Sequence, residues 1–292
     1  MVEQIGAQSD AFGERIDVYD VHVTVNKDGT LHVIENIQYN FAALERHGIR
    51  RWIPLRLNEG EKQYEIALSN VHVAMDNGVK VPVKIATSDG VAELKIGDPK
   101  RVITGKHTYE IRYTIGGGMR YSDVRDELYW NAVGQQWEVP ILSAVVSVTY
   151  PSSVDGTKIN TKCFTGVSGS IEEQCKIYKN NGRIDFESNR VLNPQEGLTI
   201  AVGLPPGSVD KLLPKEYIPF NKTPLGKLLI SLGIVLGSVL AVCWYIVYPI
   251  WIVVRWFIHG RDPDVGIDPT AHFNGPMVNA KISFSCRNRG AY

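Results

Sequence analysis

Apolar and polar residues alternate with a period of two from Arg15 to Phe41, with Val21, Val23 and Val25 on one face and Leu31, Val33, Ile37, Tyr39 and Phe41 following. That period predicts half-buried strands joined at Asn26-Lys27-Asp28-Gly29-Thr30. The register tests the turn. A two-residue Asp-Gly loop pairs Val25 with His32 and puts His32 and Asn36 on the apolar face. A three-residue loop with Gly29 left-handed pairs Val25 with Leu31, Val23 with Val33 and Tyr19 with Ile37, and keeps that face apolar. The second register is the expected one. It places Glu35 opposite Val21 on the inward face, as a carboxylate near a sheet edge or paired to an arginine, or, on the sharper reading, as a functional acid.

Further strands are expected at Tyr64–Ala74, Val79–Ile85, Val91–Ile96, Thr108–Ile115, Ser143–Tyr150, Lys158–Thr161, Arg183–Glu187 and Gly197–Val202, with turn residues between them. Nine or ten short strands without an amphipathic helix predict an all-β, antiparallel β-sandwich over residues 14–204. Residues 1–13 are expected to be disordered. Pro205, Pro206, Pro214, Pro219 and Pro224 then punctuate a proline-rich stalk over 205–224.

The pattern changes at Leu228. From there to Val254, 27 positions carry no charged side chain, closed by Lys227 and Arg255. As one helix they reach roughly 40 Å, against a hydrocarbon core of about 30 Å. A single transmembrane helix is expected over 225–258, with Thr223-Pro224 at its start, a kink at Pro249 and a stop at Gly260-Arg261-Asp262-Pro263. Trp244, Tyr245, Tyr248, Trp251 and Trp256 crowd its second half as interfacial aromatics do. Gly226, Gly233, Gly237 and Ser238 offer close contact to another membrane protein, Gly233 and Gly237 as a small-xxx-small pair. A short tail, 259–292, follows.

Composition narrows the partners. With 31 basic and 31 acidic residues there is no net field to attract nucleic acid. Phosphate-loop glycine spacing, Cys-x-x-Cys pairs and repeats are absent, so no cofactor or metal is expected. Cys163 and Cys175 are the two thiols of the β-rich region, either bridged, which stabilises by roughly 3 kcal/mol in the chain-entropy model, or free and buried. A bridge implies an oxidising compartment. Charge speaks less plainly about orientation. Four lysines lie in the 20 residues before the span and two arginines in the 20 from Arg255, neutral or mildly adverse to an exterior N-terminus. Met1 to Ser9 has no apolar core of a signal peptide.

Asp28-Gly29-Thr30-Leu31, Val33-Ile34-Glu35 and the block His47-Gly48-Ile49-Arg50-Arg51-Trp52-Ile53-Pro54 resemble a family of bacterial and archaeal membrane proteins carrying domain of unknown function 2207. So do Glu127-Leu128-Tyr129-Trp130-Asn131 with Gly134, Trp137 and Pro140, the Cys163, Gly166, Gly169, Cys175 set, and the Gly260–Pro263 turn. The resemblance covers roughly residues 14 to 270. It implies an exported β-domain behind a cleaved signal peptide, a membrane helix, and a cytoplasmic region, hence a cell-membrane protein with its N-terminal domain outside and its C-terminus inside. At both ends this chain departs from the family pattern, and a truncated or frame-shifted reading frame is the expectation.

The family supplies no activity, so single residues are weighed. Arg50, Arg51 and Trp52, read as a loop-like block, could grip an anionic polymer or lipid headgroup, or snorkel over the sandwich and pair with carboxylates such as Glu35. Tyr129, Trp130 and Trp137 could form an aromatic sugar platform or fill the core. Asp126, Glu127 and Glu138 raise a two-carboxylate glycosidase. The expected function is a membrane-anchored interaction or sensing module, with a glycan-acting enzyme and a scaffold for another membrane or envelope protein as rivals. The bilayer is its one firm partner.

Overall fold

A computed structural model describes residues 13–60 and 62–260. The expected disordered N-terminus lies outside the described residues, apart from Gly13, and so does the tail beyond Gly260. The chain divides between Pro219 and Phe220 into a β-rich unit and a helical unit.

Eighteen strands among the described residues form four sheets. The largest runs β15 (Cys175–Asn180), β16 (Arg183–Ser188), β13 (Ala144–Thr149), β1 (Arg15–Val25), β2 (Leu31–Asn40), β10 (Lys106–Gly116), β6 (Ala67–Met75), β7 (Val79–Lys80). A second has the order β11 (Met119–Tyr121), β12 (Asp126–Val133), β17 (Gly197–Leu204), β14 (Asn160–Gly166). Two three-stranded sheets complete the unit: β18 (Lys215–Tyr217), β5 (Lys62–Glu65), β4 (Arg56–Glu59), and β3 (Ile49–Pro54), β9 (Val91–Ile96), β8 (Val83–Ser88).

The β1–β2 hairpin has the expected register. Val25 pairs with Leu31, Val23 with Val33, Val21 with Glu35 and Tyr19 with Ile37. Asn26 N–H donates to Thr30 O at 2.9 Å, so Lys27, Asp28 and Gly29 form a three-residue loop. Gly29 has φ +78°, and a Cβ there would lie 2.5 Å from Asp210 O. Both facts require glycine. The inward residues of these strands join one apolar core with Ile111, Val146, Leu94 and Ile200, which come from three of the sheets. Each buried aliphatic side chain there contributes about 1.5–3 kcal/mol.

The observed sheets depart from expectation where periodicity is silent. One pair, β1–β13, is parallel, from Tyr19 opposite Ala144 to Thr24 opposite Thr149. A parallel pair needs a long crossover, here the chain between the two strands, and alternation carries no strand direction. Tyr64–Ala74 divides around Ile66, and Val79–Ile85 divides before Pro82, which has no N–H to give a ladder. Within the block 47–54, Ile49–Pro54 form a strand paired with β9 rather than a loop; Arg51 takes an inward position that apolar alternation assigns to a hydrophobe, which hid the strand.

The segment 205–217 also differs from a free stalk. Ser208 N–H donates to the buried Asp126 carboxylate at 2.9 Å, Asp210 N–H to Lys27 O at 2.8 Å, and β18 pairs with β5. Prolines forbid a helix here but leave extended backbone whose remaining N–H groups pair at a sheet edge.

The helical unit holds one candidate membrane-spanning helix among the described residues, Pro224–His259. Thr223 caps it, its hydroxyl accepting from Gly226 N–H at 3.0 Å, with Pro224 in the first turn. The disturbance expected at Pro249 takes the form of a π turn, Cys243–Val247, in which Tyr248 N–H reaches Cys243 O. Proline lacks an N–H and its ring crowds the carbonyl four residues back, which a widened turn relieves. Trp244, Tyr248 and Trp251 stack along the helix at 5.5 and 6.1 Å, and Arg255 lies 5.3 Å over the Trp251 ring. Gly260 ends it.

Candidate functional site

The two sequence blocks with the most distinctive residues meet at one buried carboxylate. Glu35 on β2 and Arg51 on β3 are 0% and 1% exposed. Arg51 Nε donates to Glu35 Oε2 at 2.8 Å and Nη2 to Oε1 at 2.9 Å, a bidentate pair. Tyr19 on β1 and Tyr113 on β10 donate their hydroxyls to the same carboxylate at 2.7 and 2.6 Å. The third guanidinium nitrogen, Nη1, donates to Trp52 O. Gly134 completes the enclosure, since a Cβ there would lie 2.6 Å from Arg51 Nη1.

Electrostatics favour the protonated forms of Arg51, Tyr19 and Tyr113. Burial disfavours charge on Arg51, but the adjacent Glu35 outweighs it and holds the guanidinium above its ordinary range. Burial, reinforced by Glu35, pushes both tyrosine hydroxyls well above their usual value. With four donors on its two oxygens, Glu35 is saturated. The arrangement pins β3 to the large sheet, and its carboxylate has no free approach for a substrate.

The sequence-derived candidates therefore part company. Arg51 is enclosed, so it cannot grip a headgroup or snorkel; of the expected alternatives, pairing with Glu35 is what occurs. Arg50 is exposed, 3.6 Å from Glu93, and Trp52 is half-buried. On β12, Tyr129 is 39% exposed and Trp130 6%, because neighbours on a strand face opposite ways. Trp137 is 5% exposed and meets Tyr19 edge-on at 5.7 Å. One aromatic platform made of all three does not form. Glu127 sits 3.9 and 3.7 Å from Arg120 and Arg125, whereas Glu138 lines a separate depression with Arg46 and Arg50. They do not face each other across a cleft, as hydrolysis by paired carboxylates requires. Among the described residues no three His, Cys, Asp or Glu side chains converge as metal ligands. Cys163 and Cys175 are joined in a disulfide linking β14 to β15.

A cavity of about 390 Å³ is the more distinctive feature. Its wall holds Arg56 of β4, Arg120 of β11, and Trp130 and Asn131 of β12, with Leu57 and Ile66 as apolar surface. Arg56 Nε, Arg120 Nε, Trp130 Nε1 and Asn131 Oδ1 are buried without hydrogen-bond partners among the described residues. The Arg56 guanidinium lies 3.9 Å over the Tyr217 ring and that of Arg120 4.7 Å over Tyr129. Arg120 also donates to Asn58 O at 3.3 Å. Sequence reasoning singled out Tyr129 and Trp130 but neither arginine. Pairing of β11 with β12 sets Arg120 beside Tyr129 and Trp130, and pairing of β18 and β4 with β5 sets Tyr217 near Arg56.

Residues 15–204 match the family model described as the N-terminal domain of predicted membrane protein DUF2207. The uncharacterized protein YciQ of Escherichia coli (strain K12) is 25% identical over 179 residues, which are 60% of this chain and 28% of that protein. The chain thus spans little more than a quarter of that curated relative. Among solved structures, native leukotriene A4 hydrolase from Saccharomyces cerevisiae aligns with 65% of this chain and 29% of its own, at 10% identity and TM-score 0.41. An M1 zinc metallopeptidase from Deinococcus radiodurans aligns with 66% and 42%, at 16% identity and TM-score 0.32. Likenesses this weak carry no argument about the chain.

Proposed function

The chain belongs to the DUF2207 family of predicted membrane proteins, and from that premise we propose that it is a membrane-anchored cell-envelope protein whose exported β-domain acts as an interaction or sensing module. The disulfide carries this reading. Cys163 and Cys175 are bridged across β14 and β15 in the same chain as an apolar helix long enough to cross a bilayer. Such a bridge persists in an oxidising compartment, which supports the reading with the β-domain outside and the residues after the helix inside. The lysines before the span weigh little against this, since large domains translocate largely regardless of flanking charge. One apolar core shared between sheets supports a β-sandwich body. Residues 225–258 are the crossing segment and 259–292 the cytoplasmic side. Its partners on this reading are the bilayer, an envelope ligand, and another membrane protein packed along Gly233 and Gly237, where a Cβ would meet nothing within 4 Å.

Protease protection in intact spheroplasts, combined with non-reducing peptide mapping, tests the proposal. Digestion of the β-domain from outside with Cys163 and Cys175 bridged is the expected result. Protection with free thiols would reverse the topology and overturn it.

A further inference from the structure

We infer that the segment 211–218 is a lipid-contacting edge of the β unit, with Leu213 and Ile218 set in the headgroup layer of the bilayer and neighbouring lysines on anionic headgroups. The inference rests on reading Pro224–His259 as a membrane anchor, whichever side the β unit occupies, and names the surface and the lipid class that go with it.

Four large apolar side chains are exposed within nine residues here: Leu212, Leu213, Ile218 and Phe220, the last three at 72%, 57% and 58%. Among the described residues before Leu212 only nine are exposed, and they are scattered from Leu44 to Tyr178. Apolar residues exposed singly are ordinary on a soluble surface, whereas a cluster beside a membrane helix marks contact with apolar material. Loose chain does not explain the cluster. Leu212 N–H donates to the Tyr121 hydroxyl at 3.1 Å, and Pro214 packs on Gly117, where a Cβ would lie 2.8 Å from it. Leu213 is thus fixed on both sides and still turned outward. Ile218 directly follows Tyr217, the last residue of the β18–β5 ladder.

Chain length keeps this edge at the bilayer. Phe220–Lys222 form a 3-10 turn hooked onto the start of the helix, where the Thr223 hydroxyl and N–H both donate to Phe220 O, at 2.6 and 3.1 Å. Gly226 belongs to the same hook, since a Cβ there would collide with Phe220 O. Only Ile218 and Pro219 separate the turn from β18. By covalent reach alone, Tyr217 therefore lies within about 11 Å of Phe220. Pro224–Lys227 precede the uncharged run and occupy the headgroup layer, which is itself about 5–8 Å deep. A two-residue link containing proline is too short to be a stalk.

Charge tunes the contact. Residues 205–227 carry Lys211, Lys215, Lys222 and Lys227 against Asp210 and Glu216, a positive balance that favours anionic over zwitterionic lipid. Glu216 is 3.4 Å from Lys62, and Glu65 stands opposite Lys215 in the ladder, so the electrostatic part is the smaller one.

The test is spin-label depth measurement on the full chain in phosphatidylcholine vesicles, with and without phosphatidylglycerol. Cys243→Ser and Cys286→Ser leave the bridged Cys163 and Cys175 as the only native cysteines. Single labels then go on Leu213→Cys, Ile218→Cys, Leu240→Cys in mid-helix, and Val79→Cys. Val79 is 61% exposed at the opposite end of β6 from Ala67, which pairs with Gly116 next to the Pro214 contact. Accessibility to oxygen, which concentrates in lipid, is compared with that to a water-soluble nickel chelate. Leu213 and Ile218 are expected to favour oxygen at least about fivefold more than Val79 does, and less than Leu240 does. Phosphatidylglycerol should raise that ratio about twofold, and Lys211→Gln with Lys215→Gln should remove the rise. An unchanged ratio on adding phosphatidylglycerol would overturn the part given to the lysines. Ratios like that of Val79, or low access to both reagents, with Leu240 deep in lipid, would overturn the inference and leave the anchor standing. An aqueous Leu240 would overturn the anchor and the inference together.

Discussion

Removing Glu35 alone should be far more damaging than removing Glu35 and Arg51 together. Glu35 accepts from Arg51 at 2.8 and 2.9 Å, from Tyr19 at 2.7 Å and from Tyr113 at 2.6 Å, with no exposure to water. Glu35→Leu would leave a buried guanidinium without its counter-charge, which costs about 3–5 kcal/mol. Two tyrosine hydroxyls would also lose their acceptor, at about 1 kcal/mol each. Arg51→Met should cost about 3 kcal/mol, because the carboxylate keeps two tyrosine donors but loses its charge partner. Against a typical total of about 5–15 kcal/mol, either change threatens folding. In the double variant no buried charge remains; the two tyrosine hydroxyls lose their acceptor and Trp52 O loses the Arg51 donor, so a loss of about 2–3 kcal/mol is expected. The single losses sum to about 8–10 kcal/mol, so the predicted coupling is about 5–8 kcal/mol. Denaturant unfolding of the full chain in neutral detergent reads it, with fluorescence of Trp137, 5.7 Å from Tyr19, as a local reporter. Additive losses, or single variants costing below about 1 kcal/mol, would refute the view that this pair pins β3 to the large sheet.

Gly134→Ala should cost about 2 kcal/mol by displacing Arg51 Nη1, which would lie 2.6 Å from the new Cβ, and the loss should shrink in an Arg51→Met background; an undiminished loss would assign it to another contact. Burial pushes the hydroxyls of Tyr19, Tyr109 and Tyr113 above the unfolded value of about 10. Because the folded state holds these protons longer, their contribution is complete below pH about 10 and is lost above it, at up to about 1.4 kcal/mol per pH unit per tyrosine. Unfolding midpoints between pH 8 and 12 measure this, and a flat profile would contradict the burial. Reducing Cys163–Cys175, separated by 12 positions, should remove about 3 kcal/mol of stability and lower Tm; identical melts with and without reductant would show that the bridge constrains little.

The local facts were legible in the chain itself. Alternation of apolar residues placed the hairpin, and one register alone kept its face apolar, which put Glu35 inward before any partner for it was known. The uncharged run from Leu228 marked the candidate membrane-spanning helix, since it is long and apolar enough to cross a bilayer. Tertiary structure decided what pairs with what across distance. A period of two marks a face but not a neighbour or a direction, so the parallel β1–β13 pair and the return of residues 205–217 to the β unit were invisible to it. Arg51 broke the alternation of its own strand, and so its block read as a loop whose arginines either grip an anion or pair with carboxylates such as Glu35. Only the packing of β3 against β2 made that break intelligible, as a charge buried because its counter-charge was waiting there. The cavity was hidden for the same reason. Arg56 is far in sequence from Arg120 and Trp130, each is ordinary by itself, and only the fold sets all three at the border of one cavity.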